Sequence, residues 1–242
     1  MHEKQINPFV SRAGLKLEHA LNEFDFDVTD LVCADFGCNV GGFTDCLLQR
    51  GAKQVYALDT GYGTLAWKLR SDDRVVVMER TNALHAKFPA PTKKTVEEDS
   101  LHQSESMATP SPLDPLPEGE GKTGVDLVTI DLAWTPQRYA IPAALSWLAP
   151  TPRGRIITLI KPHYELDEAQ KKTMLHQGAL DPEDALMVMQ RVLESMPALG
   201  MEVLNHVISP IKGKKSSSKK KSAGNVEYLA LLRPIVRAQY QS

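Results

Sequence analysis

Residues 31–44 read LVCADFGCNVGGFT, a short apolar run followed by a glycine-rich turn. The run predicts a buried strand at 31–36 that ends at Gly37. The glycines that follow allow the chain to turn sharply and to approach a ligand closely. A helix is predicted at 42–50, and Gly51 stands where a glycine often ends a helix. The stretch is therefore typical of the first strand, turn and helix of an α/β fold.

On both sides of this stretch, apolar strands alternate with amphipathic helices. Further strands are predicted at 54–58, 74–78, 125–130, 155–160, 201–208 and 225–232. Further helices are predicted at 12–24, 64–70, 137–148 and 182–196. Such an alternation predicts a mostly parallel sheet, here of seven strands, with helices on both faces. The last two strands follow each other without a helix, so we expect an antiparallel C-terminal hairpin. This is the outline of the Rossmann-like S-adenosylmethionine-dependent methyltransferase fold, an analogy of topology that does not by itself give the chemistry.

Residues that follow the strands are candidates for ligand binding, because open α/β sheets bind ligands outside the carboxyl ends of their strands. Asp35 and the turn 37–43 lie at the end of the first strand, and the next helix points its N-terminus toward such a ligand. The spacing is G-x-x-x-G-G, which differs from the G-x-G-x-x-G of dinucleotide binders. Asp59 follows the second strand, where a carboxylate can accept both hydroxyls of a ribose. A structural turn and a solvated aspartate are the alternative interpretation.

Four charged residues from distant parts of the sequence are the candidates for chemistry. Asp131 and Lys161 each follow a predicted strand, and Glu227 lies near the start of the last strand. Because that strand is antiparallel, its start lies beside the carboxyl ends of the parallel strands. Lys16 lies on the N-terminal helix, so two lysines and two acids could meet over one cleft. Surface salt bridges are the alternative, since they are the more common role of a lysine.

Composition argues against several classes of protein. The chain has 242 residues, of which 42% are hydrophobic and 24% charged, as in an ordinary globular protein. Its three cysteines form no CxxC pair, which argues against a disulfide scaffold and a four-ligand zinc site. No apolar stretch reaches the ~20 residues of a membrane span, and the N-terminus lacks the apolar core of a signal peptide. We therefore expect a reduced, cytoplasmic protein without a metal site.

Two segments differ in composition from the rest of the chain. Residues 89–123 hold six of the 16 prolines, and residues 92–123 carry seven acids against three lysines. Because strand signals continue on both sides, we interpret 89–123 as a disordered insertion within a single domain of 1–242. The segment 212–224 is a loop with six lysines. Either it contacts nucleic-acid phosphates or it is a solvated loop.

At the level of motifs, the sequence resembles the TlyA/hemolysin A family, ribosomal-RNA 2'-O-methyltransferases with an FtsJ-like catalytic domain. The segments that carry the resemblance are VSRAGLKL (10–17), GGFTDCLLQRGA (41–52), GYGTLAWKLR (61–70), ERTNA (79–83) and NVEYL (225–229). The resemblance covers nearly all of the chain except 89–123 and the lysine-rich loop. It implies S-adenosyl-L-methionine as methyl donor and structured RNA, in particular ribosomal RNA or ribosomal subunits, as partner.

The resemblance also assigns roles to individual residues. It implies a catalytic Lys-Asp-Lys-Glu tetrad, carried here by Lys16, Asp131, Lys161 and Glu227. It places the ribose of the donor at Asp59 and the adenine near Asn82. The residues of the implied cofactor site are Asp35, Gly37, Cys38, Gly41, Gly42, Phe43, Asp59, Asn82 and Asp131. Trp134 could stack a flipped base, although packing in the core is the more common role of such a residue.

The sequence also departs from the family. Because the family motifs begin almost at the first residue, we expect the S4-type RNA-binding domain that the family usually has to be missing. Residues 38–40 and the run 131–134 differ from the family pattern. Two other functions stay open: a non-catalytic RNA-binding protein that retains the fold, and a methyltransferase with another acceptor. A membrane-active hemolysin, which only the family's historical name suggests, has no support in apolar or amphipathic segments.

Overall fold

A computed structural model describes residues 7–89, 124–213 and 224–235. The strands are β1 (Val32–Phe36), β2 (Gln54–Leu58), β3 (Val75–Met78), β4 (Leu127–Ile130), β5 (Arg155–Ile160), β6 (Leu175–His176), β7 (Ala179–Leu180), β8 (Met201–Ile208) and β9 (Tyr228–Pro234). The helices are α1 (Ala13–Glu23), α2 (Gly42–Gln49), α3 (Trp67–Arg70), α4 (Gln137–Leu145), α5 (Glu168–Met174) and α6 (Pro182–Ser195).

Seven of these strands form one sheet in the order β3-β2-β1-β4-β5-β9-β8. The first five pair in parallel, whereas β9 runs antiparallel to both β5 and β8. The parallel strands are mostly apolar, with a few polar residues such as Asp35, because both faces of the sheet are covered. The predicted α/β sheet with an antiparallel C-terminal hairpin is thereby confirmed.

The core has two layers, one on each face of the sheet. On one face, α1, α2 and α3 bury residues such as Leu17, Leu47 and Leu69. On the other face, α4 and α6 bury residues such as Ile141 and Val192. The helices cover the sheet through single apolar stripes, as amphipathic helices do.

Some predicted boundaries shift, and three short elements escaped prediction. The helix predicted at 137–148 ends at Leu145, the one at 64–70 is limited to α3, and the last strand begins at Tyr228. The unpredicted elements are α5 and the small hairpin of β6 and β7. That hairpin turns at Gln177 and Gly178, whose φ angles are 54° and 78°. Glutamine is an unusual first residue for such a turn, which is why the sequence signal was weak.

The two compositionally distinct segments lie mostly outside the described residues. Of the predicted insertion 89–123 only Pro89 is described, and of the lysine-rich loop 212–224 only the ends. The strands on either side of the insertion, β3 and β4, belong to the same seven-stranded sheet.

Candidate active site

The candidate catalytic residues lie at the edge of the sheet where the parallel strands end and the last strand begins. Ile160 at the end of β5 pairs with Tyr228 at the start of β9, which brings Lys161 next to Glu227 along the backbone. Asp131 directly follows β4, the parallel neighbour of β5. Three chain segments that are distant in sequence therefore converge at one point.

The four charged candidates form two ion pairs in one cleft. Lys16 Nζ lies 2.5 Å from Glu227 Oε2, and Lys161 Nζ lies 2.6 Å from Asp131 Oδ1. Their side chains are only 4–19% exposed. All four line a cleft of about 360 Å³. Each ammonium is thus matched by a carboxylate, which is the condition for keeping such charges in a poorly hydrated place.

Lys16 reaches the cleft because the rest of α1 is anchored in the core. Leu17, the next residue, is fully buried against α2. Phe9 packs directly on the backbone of the helix at Gly14, where a Cβ atom would lie 2.4 Å from the Phe9 ring. A side chain at position 14 would push Phe9 away and shift the first turn of the helix, which carries Lys16.

The ammonium of Lys161 is held by two acceptors from the loop after β4. Besides Asp131, it donates a hydrogen bond to the carbonyl oxygen of Leu132 at 3.2 Å. The Tyr164 ring centroid lies 5.8 Å from Nζ. Since an ammonium has three N–H donors, and two find partners among the described residues, one is left for a group that enters the cleft.

The glycines of the first turn are required by contacts with the protein itself. Gly37 and Gly41 have φ angles of 86° and 101°, a region that favours glycine. A Cβ on Gly37 would lie 2.8 Å from the carbonyl oxygen of Asp131, and one on Gly41 would lie 2.2 Å from a methyl group of Leu69. The turn is therefore pressed between the loop after β4 and α3, which fixes the wall of the cleft.

The residues assigned to the cofactor site take different positions. Those that line the cleft are Gly37, Cys38, Phe43 and Asp131. Gly41 and Gly42 are buried at the start of α2. Burial raises the pKa of the Cys38 thiol, so this side chain is a neutral part of the wall.

Asp35 lies beneath the turn and does not line the cleft. Its Oδ2 accepts hydrogen bonds from the backbone N–H of Thr44 at 3.0 Å and from the Thr44 hydroxyl at 2.7 Å. Its Oδ1 accepts one from the Thr129 hydroxyl at 3.2 Å. Complete burial raises the pKa of Asp35 to about 7, against the hydrogen bonds from Thr44, which favour the ionised form. Asp35 therefore ties the start of α2 to β4 and supports the turn from below.

Asp59 lies on the other side of the turn, at the end of β2. Its two carboxylate oxygens accept hydrogen bonds from the backbone N–H groups of Asn39 at 2.9 Å and Gly61 at 2.7 Å. A carboxylate has about four acceptor positions, so about two remain for a ligand. Thr81 donates its N–H to the Asp59 carbonyl oxygen at 2.9 Å, which brings the exposed Asn82 to the same strand end.

Trp134 is exposed, contrary to the expectation that it packs in the core. It is 78% exposed, and its φ of 52° is unusual for a bulky residue. This backbone conformation, just after β4, turns the ring outward beside Tyr164, at a centroid distance of 6.0 Å. The two rings form an aromatic surface next to Lys161.

Other residues of the cleft were not among the predicted site residues. They are Ser11, Arg12, Ala13, Asn39, Val40, Ala133, His163, Tyr164, Gly213 and Asn225. Arg12 lies one helical turn before Lys16, which is a signal that could have identified it. Burial lowers the pKa of His163 to about 4, so the ring is neutral near pH 7 and adds no charge to the cleft.

The described residues contain neither a cluster of metal-ligating side chains nor a membrane-spanning helix. In the three described ranges, no group of three or more His, Cys, Asp or Glu side chains is placed to hold a metal ion. None of the helices in these ranges is long and apolar enough to cross a membrane.

This sheet order, with a turn of glycines after β1 and charged side chains at the strand ends, defines the class of Rossmann-like methyltransferase folds. A solved structure from Listeria monocytogenes, described as an S-adenosylmethionine-dependent methyltransferase, shares the fold, with a TM-score of 0.53 and 12% identity over 93% of this chain and 99% of that one. The model of the FtsJ-like methyltransferase family matches residues 9–226. The chain belongs to this family.

Closer relatives carry more specific names. The Bacillus subtilis protein named as rRNA methyltransferase YqxC is 36% identical over 222 residues, or 91% of this chain and 64% of its own length. The 16S/23S rRNA (cytidine-2'-O)-methyltransferase TlyA of Mycobacterium tuberculosis is 34% identical over 93% of this chain and 68% of its own. A solved structure described as a hemolysin of Lactococcus lactis has a TM-score of 0.70 and 34% identity, over 94% of this chain and 89% of that one. The chain thus spans less than two thirds of the length of YqxC.

Proposed function

We propose that the protein is an S-adenosylmethionine-dependent RNA 2'-O-methyltransferase that acts on ribosomal RNA. The observation that carries this proposal is the cleft in which the ion pairs Lys16–Glu227 and Lys161–Asp131 lie beside the glycine turn. The name of the similar TlyA protein, a cytidine-2'-O-methyltransferase, supports the choice of acceptor. If the substrate is ribosomal RNA, the methyl transfer would take place in the cytoplasm.

The residues around the turn fit S-adenosylmethionine. Gly37, Cys38 and Phe43 form a wall of small and apolar groups for the methionine part, with the Asp131 carboxylate nearby. The acceptor positions left on Asp59 suit the two hydroxyls of a ribose, and Asn82 lies at the same strand end for the adenine. When bound, this cofactor supplies a methyl group on a positively charged sulfur, which makes the methyl carbon electrophilic.

Lys161 is the residue that we expect to act on the acceptor hydroxyl. A ribose 2'-hydroxyl is a weak nucleophile, and negative charge develops on its oxygen as its proton passes to solvent. The oxygen would form a bond to the methyl carbon while the bond from that carbon to sulfur breaks, so the transfer leaves a neutral thioether and one released proton. The remaining N–H of the Lys161 ammonium can donate to that oxygen and stabilise the charge. Asp131 and the Leu132 carbonyl keep Nζ in place, so little reorganisation is needed at the moment of reaction.

Lys16 and Glu227 complete the charge balance of the cleft. The two ammonium groups and the two carboxylates cancel, so these four side chains can be kept from water without an unpaired charge among them. A partly dry cleft favours a reaction between a cationic donor and a nucleophile that becomes negative, because the charges cancel as the bond forms.

The surface around the cleft suits RNA. Trp134 and Tyr164 offer aromatic rings on which a base can stack. Arg12 adds a positive charge at the cleft, where its guanidinium donates to the carbonyl oxygen of Lys212 at 3.4 Å. Lys212 begins the lysine-rich segment, whose charges would contribute salt-dependent affinity for phosphates.

We also propose that 1–242 is one catalytic domain and that 89–123 is an insertion in it. The argument is that β3 and β4, which precede and follow the insertion, are strands of one sheet.

The test is transfer of radiolabelled methyl from S-adenosylmethionine to ribosomal subunits, intact ribosomes and bulk RNA. We expect label on a ribose 2'-oxygen with the wild type and none with Lys161→Ala, although Lys161→Ala still binds the donor. The matched control is Lys172→Ala, an exposed lysine on α5, which should transfer as the wild type does. Equal transfer by Lys161→Ala would refute the mechanism. Donor binding without label on any RNA would favour another acceptor or a non-catalytic protein.

A further inference from the structure

Glu165 is a partly buried acid for which the proposed reaction has no role. It ends the short 3₁₀ turn 162–164, which directly follows Lys161. Its backbone N–H donates to the carbonyl oxygen of Pro162 at 3.0 Å, so its backbone is fixed relative to Lys161. Burying a carboxyl group costs free energy unless the group forms hydrogen bonds or ion pairs in its buried position.

The Glu165 side chain reaches across to the neighbouring chain segment. Its Oε1 accepts a hydrogen bond from the backbone N–H of Gln137 at 2.9 Å. Gln137 is the first residue of α4, and residues 131–136 before it form the loop that carries Asp131 and Trp134. One hydrogen bond thus joins the turn after Lys161 to the loop that holds the Lys161 ammonium.

Gln137 is itself held firmly. Its side-chain amide donates to the Leu159 carbonyl oxygen at 3.3 Å, and its side-chain oxygen accepts from the Thr158 hydroxyl at 2.7 Å. Gln137 is 4% exposed. The end of the loop is therefore fixed to β5 by the Gln137 side chain and by Glu165 together.

We propose that Glu165 is a positioning residue that, through Gln137, holds the Asp131 loop in the geometry in which Asp131 and Leu132 orient Lys161. The inference rests on the proposed function. The hydrogen bond to the first N–H of a helix is strongest when the acceptor is ionised, because both the charge and the helix dipole favour it.

The charges around Glu165 make its ionisation sensitive to pH. Arg138 on α4 and Arg191 on α6 are the charged groups that favour the carboxylate, as does the Gln137 N–H. Burial acts in the opposite direction, outweighs them and raises the pKa of Glu165 to about 7. The carboxylate that holds Gln137 most strongly is therefore formed as the pH rises through neutrality.

The test compares kcat of the wild type and of Glu165→Gln from pH 6 to 9, with S-adenosylmethionine and ribosomal subunits saturating. Glutamine keeps an acceptor oxygen but cannot ionise. We expect a ratio near one at pH 6 that rises to about tenfold at pH 8.5, the difference between a neutral and a charge-assisted hydrogen bond. KM for the donor should be unchanged. Other titrating groups affect both proteins and cancel in the ratio.

The matched control is Glu168→Gln, three residues further on, whose side chain is 84% exposed and pairs with Lys171. The ratio of the wild-type kcat to the Glu168→Gln kcat should stay at one over the whole pH range. A wild-type to Glu165→Gln ratio that is flat over this pH range, at any level, would overturn the inference.

A second measurement is independent of activity and of the variant. We expect the Gln137 amide of the wild type, corrected for intrinsic exchange, to exchange hydrogen more slowly as the pH rises from 6 to 8. If the protection of the Gln137 amide does not change with pH, this result would count against the positioning role of Glu165. If protection rises but the wild type methylates no RNA, the positioning contact stands and the proposed function fails.

Discussion

Replacing Lys16 by methionine removes an ammonium from the cleft and keeps a side chain of similar length. Glu227, 4% exposed, then loses the partner 2.5 Å away. Gly213 packs so closely that a Cβ there would lie 2.5 Å from Oε1 of Glu227, which leaves little room on that side for a water molecule. Removing one partner of a buried ion pair typically costs ~3–5 kcal/mol. In a chain of this size, that corresponds to a fall in Tm of roughly 6–20 °C.

The double variant Lys16→Met/Glu227→Gln separates stability from chemistry. Removing both charges leaves no unpaired ion, so we expect its free energy of unfolding to return to within about 1–2 kcal/mol of the wild type. Because the family resemblance places both residues in the catalytic tetrad, methyl transfer should be absent from Lys16→Met, from Glu227→Gln and from the double variant alike. The assays are urea denaturation of all four proteins and radiolabelled methyl transfer.

Two results would refute this reasoning. A loss below about 1 kcal/mol in Lys16→Met would mean that water reaches Glu227 and that the pair behaves as a surface pair. A double variant that regains stability and also transfers methyl groups would exclude these two residues from the reaction.

Other predictions concern the cofactor side, the RNA side and pH. Asp59→Ala should weaken S-adenosylmethionine binding by about tenfold or more in calorimetry, since a lost charged hydrogen bond costs ~1.5–3 kcal/mol; the exposed Asp73→Ala should bind normally. Trp134→Ala should raise KM for RNA by roughly tenfold, because a base loses the ring on which it stacks, and Tm should stay unchanged. The control for loss of a surface ring is Trp67→Ala, since Trp67 is equally exposed at 78%. An equal rise of KM in Trp67→Ala would show that Trp134 is not part of the RNA site. Because burial raises the folded-state pKa of Asp35 to about 7, its contribution to stability is present below pH 4 and lost as the pH rises to 7. Asp35→Asn should therefore gain stability relative to the wild type over that range, on the order of a few kcal/mol in urea denaturation, and parallel pH curves would contradict this.

Much of the fold could be predicted because its signals are local. The strands β1, β4 and β5 are mostly apolar on both faces, which is typical of strands covered on both sides of a sheet. The hairpin of β6 and β7 has only two residues in each strand and a Gln-Gly turn, so its signal was too short and too weak. The outward turn of Trp134 depends on one backbone angle, which no periodicity reveals.

The site was predictable only in part, because contacts between residues that are distant in sequence leave no local pattern. The positions of Asp131 and Lys161 after predicted strands indicated a common edge, and both ion pairs lie there. Asp35, in contrast, precedes the turn directly in sequence yet faces Thr44 and Thr129 beneath it. The contact between Glu165 and Gln137 has no pattern in the sequence at all, since a backbone N–H is the donor.

The seven strands of the main sheet, most of the helices, the turn of glycines and the family could be recognised from the sequence, because each is encoded in residues that are near neighbours along the chain. Which charged side chains meet, in contrast, depends on how the chain packs. Lys16 and Glu227 are 211 positions apart, and their contact exists because α1 packs against α2 while β9 inserts next to β5. Which residues pair across such a distance in sequence depends on the order of the strands in the sheet and on which side chains are buried. Both are properties of the packed chain, because the free energy that sets them comes from the core as a whole and not from any one segment.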